Sequence, residues 1–183
     1  MANDRPITMH EAALRAGTLM GLYWIIKFTF IPLGFSIPIL QLLFMAFTLF
    51  VPVLGYIYTR RYRDRQLAGA ITYGAALRFC SLMYLAATML AFIAHYVYFE
   101  YMDDGFIVAS YQEMFKLAKD QLSGDDPGNM LQLFEQSEEA FEQLSEASAL
   151  EITTALAWYD VWWCFILSLI TGLVTMRRRK TEQ

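Results

Sequence analysis

The chain of 183 residues holds only two cysteines, Cys80 and Cys164, and two histidines, His10 and His95. Two cysteines inside apolar runs exclude a disulfide framework, and so few thiol and imidazole ligands exclude a zinc site. Both read as small buried residues that pack like alanine. Basic charge is nearly missing from one stretch. Between Glu100 and Glu151, thirteen acidic side chains stand against two lysines, Lys116 and Lys119. That balance argues against a nucleic-acid partner. No nucleophile motif, glycine-rich phosphate loop or HExxH pattern occurs, so no catalytic residue, cofactor or metal is expected. The acidic pairs Asp103-Asp104 and Asp125-Asp126 lack the alternating oxygens of a calcium loop, and solvated helix ends account for them.

Long apolar runs are abundant instead. With 57% hydrophobic and 16% aromatic residues, the composition fits a small polytopic membrane protein better than a soluble domain. The first run extends from Leu14 to Ile31, just long enough to cross about 30 Å of hydrocarbon. It follows a polar N-terminus with Arg5 and Arg15 and lacks a convincing cleavage site, so it reads as a retained span. Pro32-Leu33-Gly34 is expected to break it into a tight hairpin. The second run, Ile37 to Tyr58, contains Gln41 and Pro52 and is expected to stop at Arg60, Arg61, Arg63 and Arg65. Residues 66–78 read either as an interfacial helix or as the start of a long third helix. The third span runs from Phe79 to Phe99, with Arg78 at its boundary. The fourth runs from Ile152 to Met176 and ends on Arg177, Arg178, Arg179 and Lys180.

Outside residues 100–151, twelve basic side chains face five acidic ones. Arginine clusters at span ends stay cytoplasmic. The pattern therefore predicts an all-α protein of a bacterial inner membrane: four transmembrane helices, both termini cytoplasmic, and an extracytoplasmic helical hairpin between spans three and four. The expected parts are residues 1–99 with a cytoplasmic loop at 59–78, a periplasmic lobe at 100–151, and the last span with its tail at 152–183. Aromatic clusters at span ends agree with this orientation: Tyr96, Tyr98, Phe99 and Tyr101 on one helix, Trp158, Tyr159, Trp162 and Trp163 on another, and Tyr56, Tyr58 and Tyr62 at an inner end.

The lobe carries helical spacing. Ile107, Tyr111, Met114, Phe115, Ala118 and Leu122 recur on one face. Asp126-Pro127 then supplies a cap and a first-position proline for a second helix reaching Ala149, with Met130, Phe134, Ser137, Phe141, Leu144 and Ser148 along its stripe.

Lys27 and Asp160 are the sharpest candidates for chemistry, because an ionisable side chain inside a span is costly. At 1.5 Å per residue both fall in the outer half of their spans, within reach if the first and fourth helices are neighbours. A structural ion pair is the plainer explanation. An intramembrane enzyme would need a polar cavity joining Lys27, Asp160 and His95. The arginines Arg60, Arg61, Arg63, Arg65 and Arg78 suit a lipid phosphate as well as orientation. Ala13, Gly17 and Gly21 form a small-residue stripe for close helix contact, first of all inside the bundle, and otherwise between two copies or with a partner span.

The stretch from Leu67 to Phe106 resembles a family of small four-span inner-membrane proteins of Bacteroidota catalogued as a domain of unknown function. The likeness rests on Gly69-xxx-Thr72-Tyr73-Gly74-xx-Leu77-Arg78, the run Tyr96-x-Tyr98-Phe99-x-Tyr101, an acidic helical lobe, and a last span closed by Arg177-Arg178. Where that family often has proline after the acidic residue closing the third span, this chain has Asp104. The resemblance supports topology and brings no catalytic residues. The expected function is a non-enzymatic accessory or scaffold protein that contacts membrane lipid and binds another envelope component, self-association being left open. The alternative is a small carrier of a solute or lipid-linked intermediate that uses the intramembrane charges.

Overall fold

The computed structural model describes residues 7–122, 137 and 140–177. Five helices carry the described fold: α1 Met9–Gly34, α2 Ile39–Gln66, α3 Tyr73–Tyr101, α4 Phe106–Leu122 and α5 Ala149–Thr175. Of these, α1, α2, α3 and α5 are long and apolar enough to cross a membrane, which makes the chain a multi-pass membrane protein.

Each helix begins and ends for a local reason. Thr8 caps α1, and Glu11 returns the bond to the Thr8 backbone N–H at 3.0 Å, a complete capping box. Pro32 does not break α1, which runs on to Gly34. A proline lacks the N–H donor and crowds the carbonyl four residues back, but only two helical residues follow Pro32, so little helix is left to kink. The chain then turns over residues 35–38, with Ile37 N–H donating to Leu33 O at 3.0 Å. Gln41 packs on Gly34, where an added Cβ would meet Gln41 Cγ at 2.6 Å.

The arginine cluster does not terminate α2 either. The helix continues past Tyr58 through Arg65 to Gln66. Arginine is a good helix former, and Asp64 ties this turn together by pairing with Arg60 at 3.5 Å and with Arg63 at 2.7 Å. The expected loop 59–78 shrinks to residues 67–72, which form no interfacial helix. Ala68 and Gly69 there adopt positive φ, 51° and 81°. Ile71 and Arg177 exchange two backbone hydrogen bonds of 3.0 Å, tying this loop to the end of α5. Thr72 caps α3, so Tyr73 to Leu77 are the first turns of the third span.

α3 is the most buried helix and packs most extensively on α1 and α5, while α2 bridges α1 and α5 on the other side. The ring order is therefore α1, α3, α5, α2, and α1 lies diagonally from α5. The first and last spans are thus not neighbours, so the condition for direct contact of Lys27 and Asp160 is not met. Small residues set the closest approach: a Cβ at Gly17 would lie 2.5 Å from Met83 O, and one at Gly21 3.0 Å from Leu90. The core joins Ala13, Met20 and Trp24 of α1 to Phe79, Met83, Tyr84 and Ala87 of α3. Buried hydroxyls bond back to their own helices, Thr59 to Gly55 O at 2.8 Å and Thr175 to Thr171 O at 2.6 Å. Such bonds satisfy polar groups where no water reaches. The outer surface is apolar in turn, with Leu49 of α2 76% exposed.

α4 follows α3 after a turn in which Asp104 and Gly105 take positive φ, 46° and 77°. Proline, fixed near −65°, cannot occupy the Asp104 position in this geometry. Asp103 is buried and accepts the Ile107 N–H at 3.2 Å, capping α4. Phe106 and Tyr111 pack edge-on against Phe35 at 5.7 and 5.0 Å, seating α4 on the end of α1. Phe115 meets Phe141 at 5.6 Å, so two apolar faces of the lobe touch. Residues 140–146 are helical, but no helix continues to Ala149. Ser148 is extended and caps α5 in a second capping box with Glu151. Asp125, Asp126, Pro127, Met130, Phe134, Arg178, Arg179 and Lys180 lie outside the described residues.

Candidate functional site: a charged cavity in the bundle

Between the four spans lies a cavity of about 520 Å³ in the half of the bundle nearer the α1–α2 turn. That volume is within the usual range for small-molecule sites, roughly 300–1,000 Å³. Its walls are chiefly apolar and aromatic, including Trp24 and Phe28 of α1, Phe44 and Pro52 of α2, and Trp163 of α5. Set into them are Lys27 from α1, His95 from α3 and Asp160 from α5.

The helical repeat produces this convergence. Trp24, Lys27, Phe28 and Ile31 recur three or four apart and share one face of α1. Leu156, Tyr159, Asp160, Trp163, Cys164 and Leu167 do the same on α5. Because α1 and α5 are diagonal, Lys27 and Asp160 come from opposite walls. Among the described residues no ion pair or hydrogen bond joins them. The Lys27 ammonium sits 5.1 Å from the Phe44 ring centroid and 5.8 Å from that of Trp24. Aromatic faces stabilise a desolvated cation by up to about 2 kcal/mol, less than a buried carboxylate partner would. The charges are thus housed in one cavity and left apart.

His95 is 9% exposed, and its ring lies 4.1 Å from that of Phe28. Its Nε2 and the Nε1 of Trp24 are buried without a partner among the described residues. Cys164 is buried, with Thr88 Oγ1 3.8 Å from its sulfur, and Cys80 sits 3.1 Å from Thr59 Oγ1. The cavity joins the three groups that an intramembrane enzyme would need. Among the described residues no hydrogen bond links any two of them.

The arginines separate by role. Arg63 is buried and donates through Nη1 to Thr175 O at 3.0 Å, closing the carbonyl end of α5. Arg60, Arg61 and Arg65 line a second, shallow hollow with Tyr56 and Asp64. Arg78 is exposed on α3 and donates to Gly74 O at 3.2 Å, away from that hollow. Ala13, Gly17 and Gly21 are all buried, the two glycines against α3.

Sequence reasoning singled out Lys27 and Asp160 but not the aromatic walls around them. The signal was the spacing Trp24-xx-Lys27-Phe28, which puts a cation and aromatic rings on one helical face; the second ring over the ammonium, Phe44, comes from α2. It also missed Arg63 as a helix cap and both capping boxes, Thr8-xx-Glu11 and Ser148-xx-Glu151.

No curated protein and no solved structure matches the chain. A family model described as "Protein of unknown function (DUF4199)" matches residues 15–177, and the chain belongs to that family.

Proposed function

We propose that the bundle is a small membrane carrier that holds an amphipathic ligand in the cavity between its spans. One observation carries this reading: Lys27 and Asp160 face one chiefly apolar cavity from diagonal helices, within electrostatic range of each other, yet among the described residues they form no ion pair. Two half-buried opposite charges are most stable in contact. A geometry that keeps them apart suits a guest with a polar head, its apolar part lying on Trp24, Phe44 and Trp163. The cavity's size and aromatic lining suit such a guest as well.

The setting we propose is a bacterial inner membrane, in Bacteroidota by resemblance, with both termini cytoplasmic and residues 100–151 periplasmic. The charge distribution supports it. The Ile71–Arg177 bridge gathers the end of α2, the start of α3 and the end of α5 at one end of the bundle. That end carries Arg60, Arg61 and Arg65, while the acidic lobe follows the opposite end of α3.

An accessory role, in which the lobe binds another envelope protein, has its own support. Phe106, Met114 and Leu117 of α4 are exposed. The small-residue stripe of α1 is already occupied by α3, which leaves the lobe as the docking element of that reading.

Gentle extraction from native membranes followed by native mass spectrometry distinguishes the two. The carrier reading expects one amphiphile retained per chain and lost in Lys27→Met, with the variant melting like wild-type protein stripped of lipid. A stoichiometric protein partner with no retained small molecule would replace it by the accessory reading.

A further inference from the structure

Resting on that carrier reading, we infer that the ligand's head is zwitterionic, an ammonium and a phosphate a few bonds apart, as in an aminophospholipid. Lys27 and Asp160 come from diagonal helices and are not joined to each other. Each must therefore find its complement in the guest. A purely anionic head would satisfy Lys27 and leave Asp160 facing a like charge. A purely cationic head would do the reverse. Either leaves one ion unpaired in a low-dielectric site, the costliest outcome for a buried charge. A head with both charges pairs each wall at once and adds no net charge to the membrane interior.

The two walls are prepared differently for the two ends. Lys27 is a compact ammonium with three donors, suited to phosphate oxygens. Its rings hold it in place without neutralising it: Phe44 at 5.1 Å and Trp24 at 5.8 Å. Asp160 has no donor among the described residues, so its carboxylate keeps its acceptor capacity for a ligand N–H. Trp24 Nε1 and His95 Nε2, buried without partners, give the lining more polar capacity than its own contacts use. The rest of the wall is apolar and offers a glycerol backbone and acyl chain a surface continuous in character with the bilayer. The walls are chemically different, so the site also fixes the direction in which the head lies.

The test uses purified full-length protein, stripped of lipid in a non-ionic detergent, with tryptophan fluorescence as the readout because Trp24 and Trp163 line the cavity. Lysophosphatidylethanolamine and lysophosphatidylglycerol of the same acyl chain are titrated in turn; they differ in the ammonium. A charge-assisted hydrogen bond to Asp160 predicts about tenfold tighter binding of the ethanolamine lipid. Asp160→Asn should erase that preference by weakening the ethanolamine lipid and tightening the glycerol lipid, whose anionic head no longer faces a like charge; binding of the glycerol lipid also shows the variant folded. Equal affinities for both lipids, unmoved by Asp160→Asn, would overturn the zwitterion assignment and leave amphiphile binding standing. No response to either lipid would overturn both.

Discussion

Arg63 stands in a run of four arginines, yet its environment differs from that of Arg60, Arg61 and Arg65. It is 8% exposed, where those three are exposed, and its guanidinium donates to the last turn of α5. Terminal carbonyls of a helix lack intrahelical partners, and a cation there also meets the negative end of the dipole. Arg63→Ala is therefore expected to cost about 1.5–3 kcal/mol, the range for a charged hydrogen bond. A thermal melt in detergent would register this, whereas Arg61→Ala should stay within about 0.5 kcal/mol. Equal effects would mean that the bond to Thr175 contributes nothing. The cluster was legible as an orienting charge because that property depends on composition alone. Which arginine caps another helix depends on where Thr175 lies, 112 residues away. Lys27 and Asp160 were legible because charges are rare inside spans. Their separation was not, since sequence position says nothing about which helices are diagonal.

At the scale of helices, the apolar runs gave four spans whose interiors agree with the structure and whose ends do not. Pro32 and the arginine run were expected to stop α1 and α2, but helix formation by Arg and the pairs with Asp64 carry α2 on to Gln66. Ser148-xx-Glu151 starts α5 at Ala149, the residue where the apolar stripe suggested that the lobe's second helix ends. Contact between α1 and α3 shows what a small residue does. Gly17→Ala would place a methyl 2.5 Å from Met83 O and 2.7 Å from Ala86 Cβ, backbone and a short side chain that have little room to move. Overpacking of this kind costs about 1–3 kcal/mol. Gly74 is the control, because nothing lies within 4 Å of the Cβ it would gain. Gly74→Ala should be neutral or stabilising by up to about 1 kcal/mol, as alanine is the better helix former. Comparing the two melting temperatures checks the packing directly; a loss at Gly74 matching that at Gly17 would attribute both to flexibility instead of contact.

The whole molecule is polarised along the bundle axis. Arg60, Arg61 and Arg65 lie at the end where Ile71 and Arg177 bridge, and α4 with its acidic neighbours lies at the other. Membrane insertion reads lysine and arginine near span ends, so these residues are expected to hold their end in the cytoplasm. The carrier reading gives the polarity a consequence. The cavity lies in the half nearer the lobe, so its head-binding residues sit closer to the far face than to the arginines. Single cysteines test the arrangement, since the native Cys80 and Cys164 are 0% and 6% exposed and offer little background. Ser145→Cys on the lobe and Gln66→Cys at the end of α2 both occupy exposed positions. In spheroplasts, a membrane-impermeant maleimide should label Ser145→Cys directly and reach Gln66→Cys only after permeabilisation. The reverse pattern would place the arginine end outside, and the cavity would then open nearer the cytoplasm. Labelling of both without permeabilisation would mean that α3, the span between the two positions, does not cross, which is incompatible with a four-span bundle.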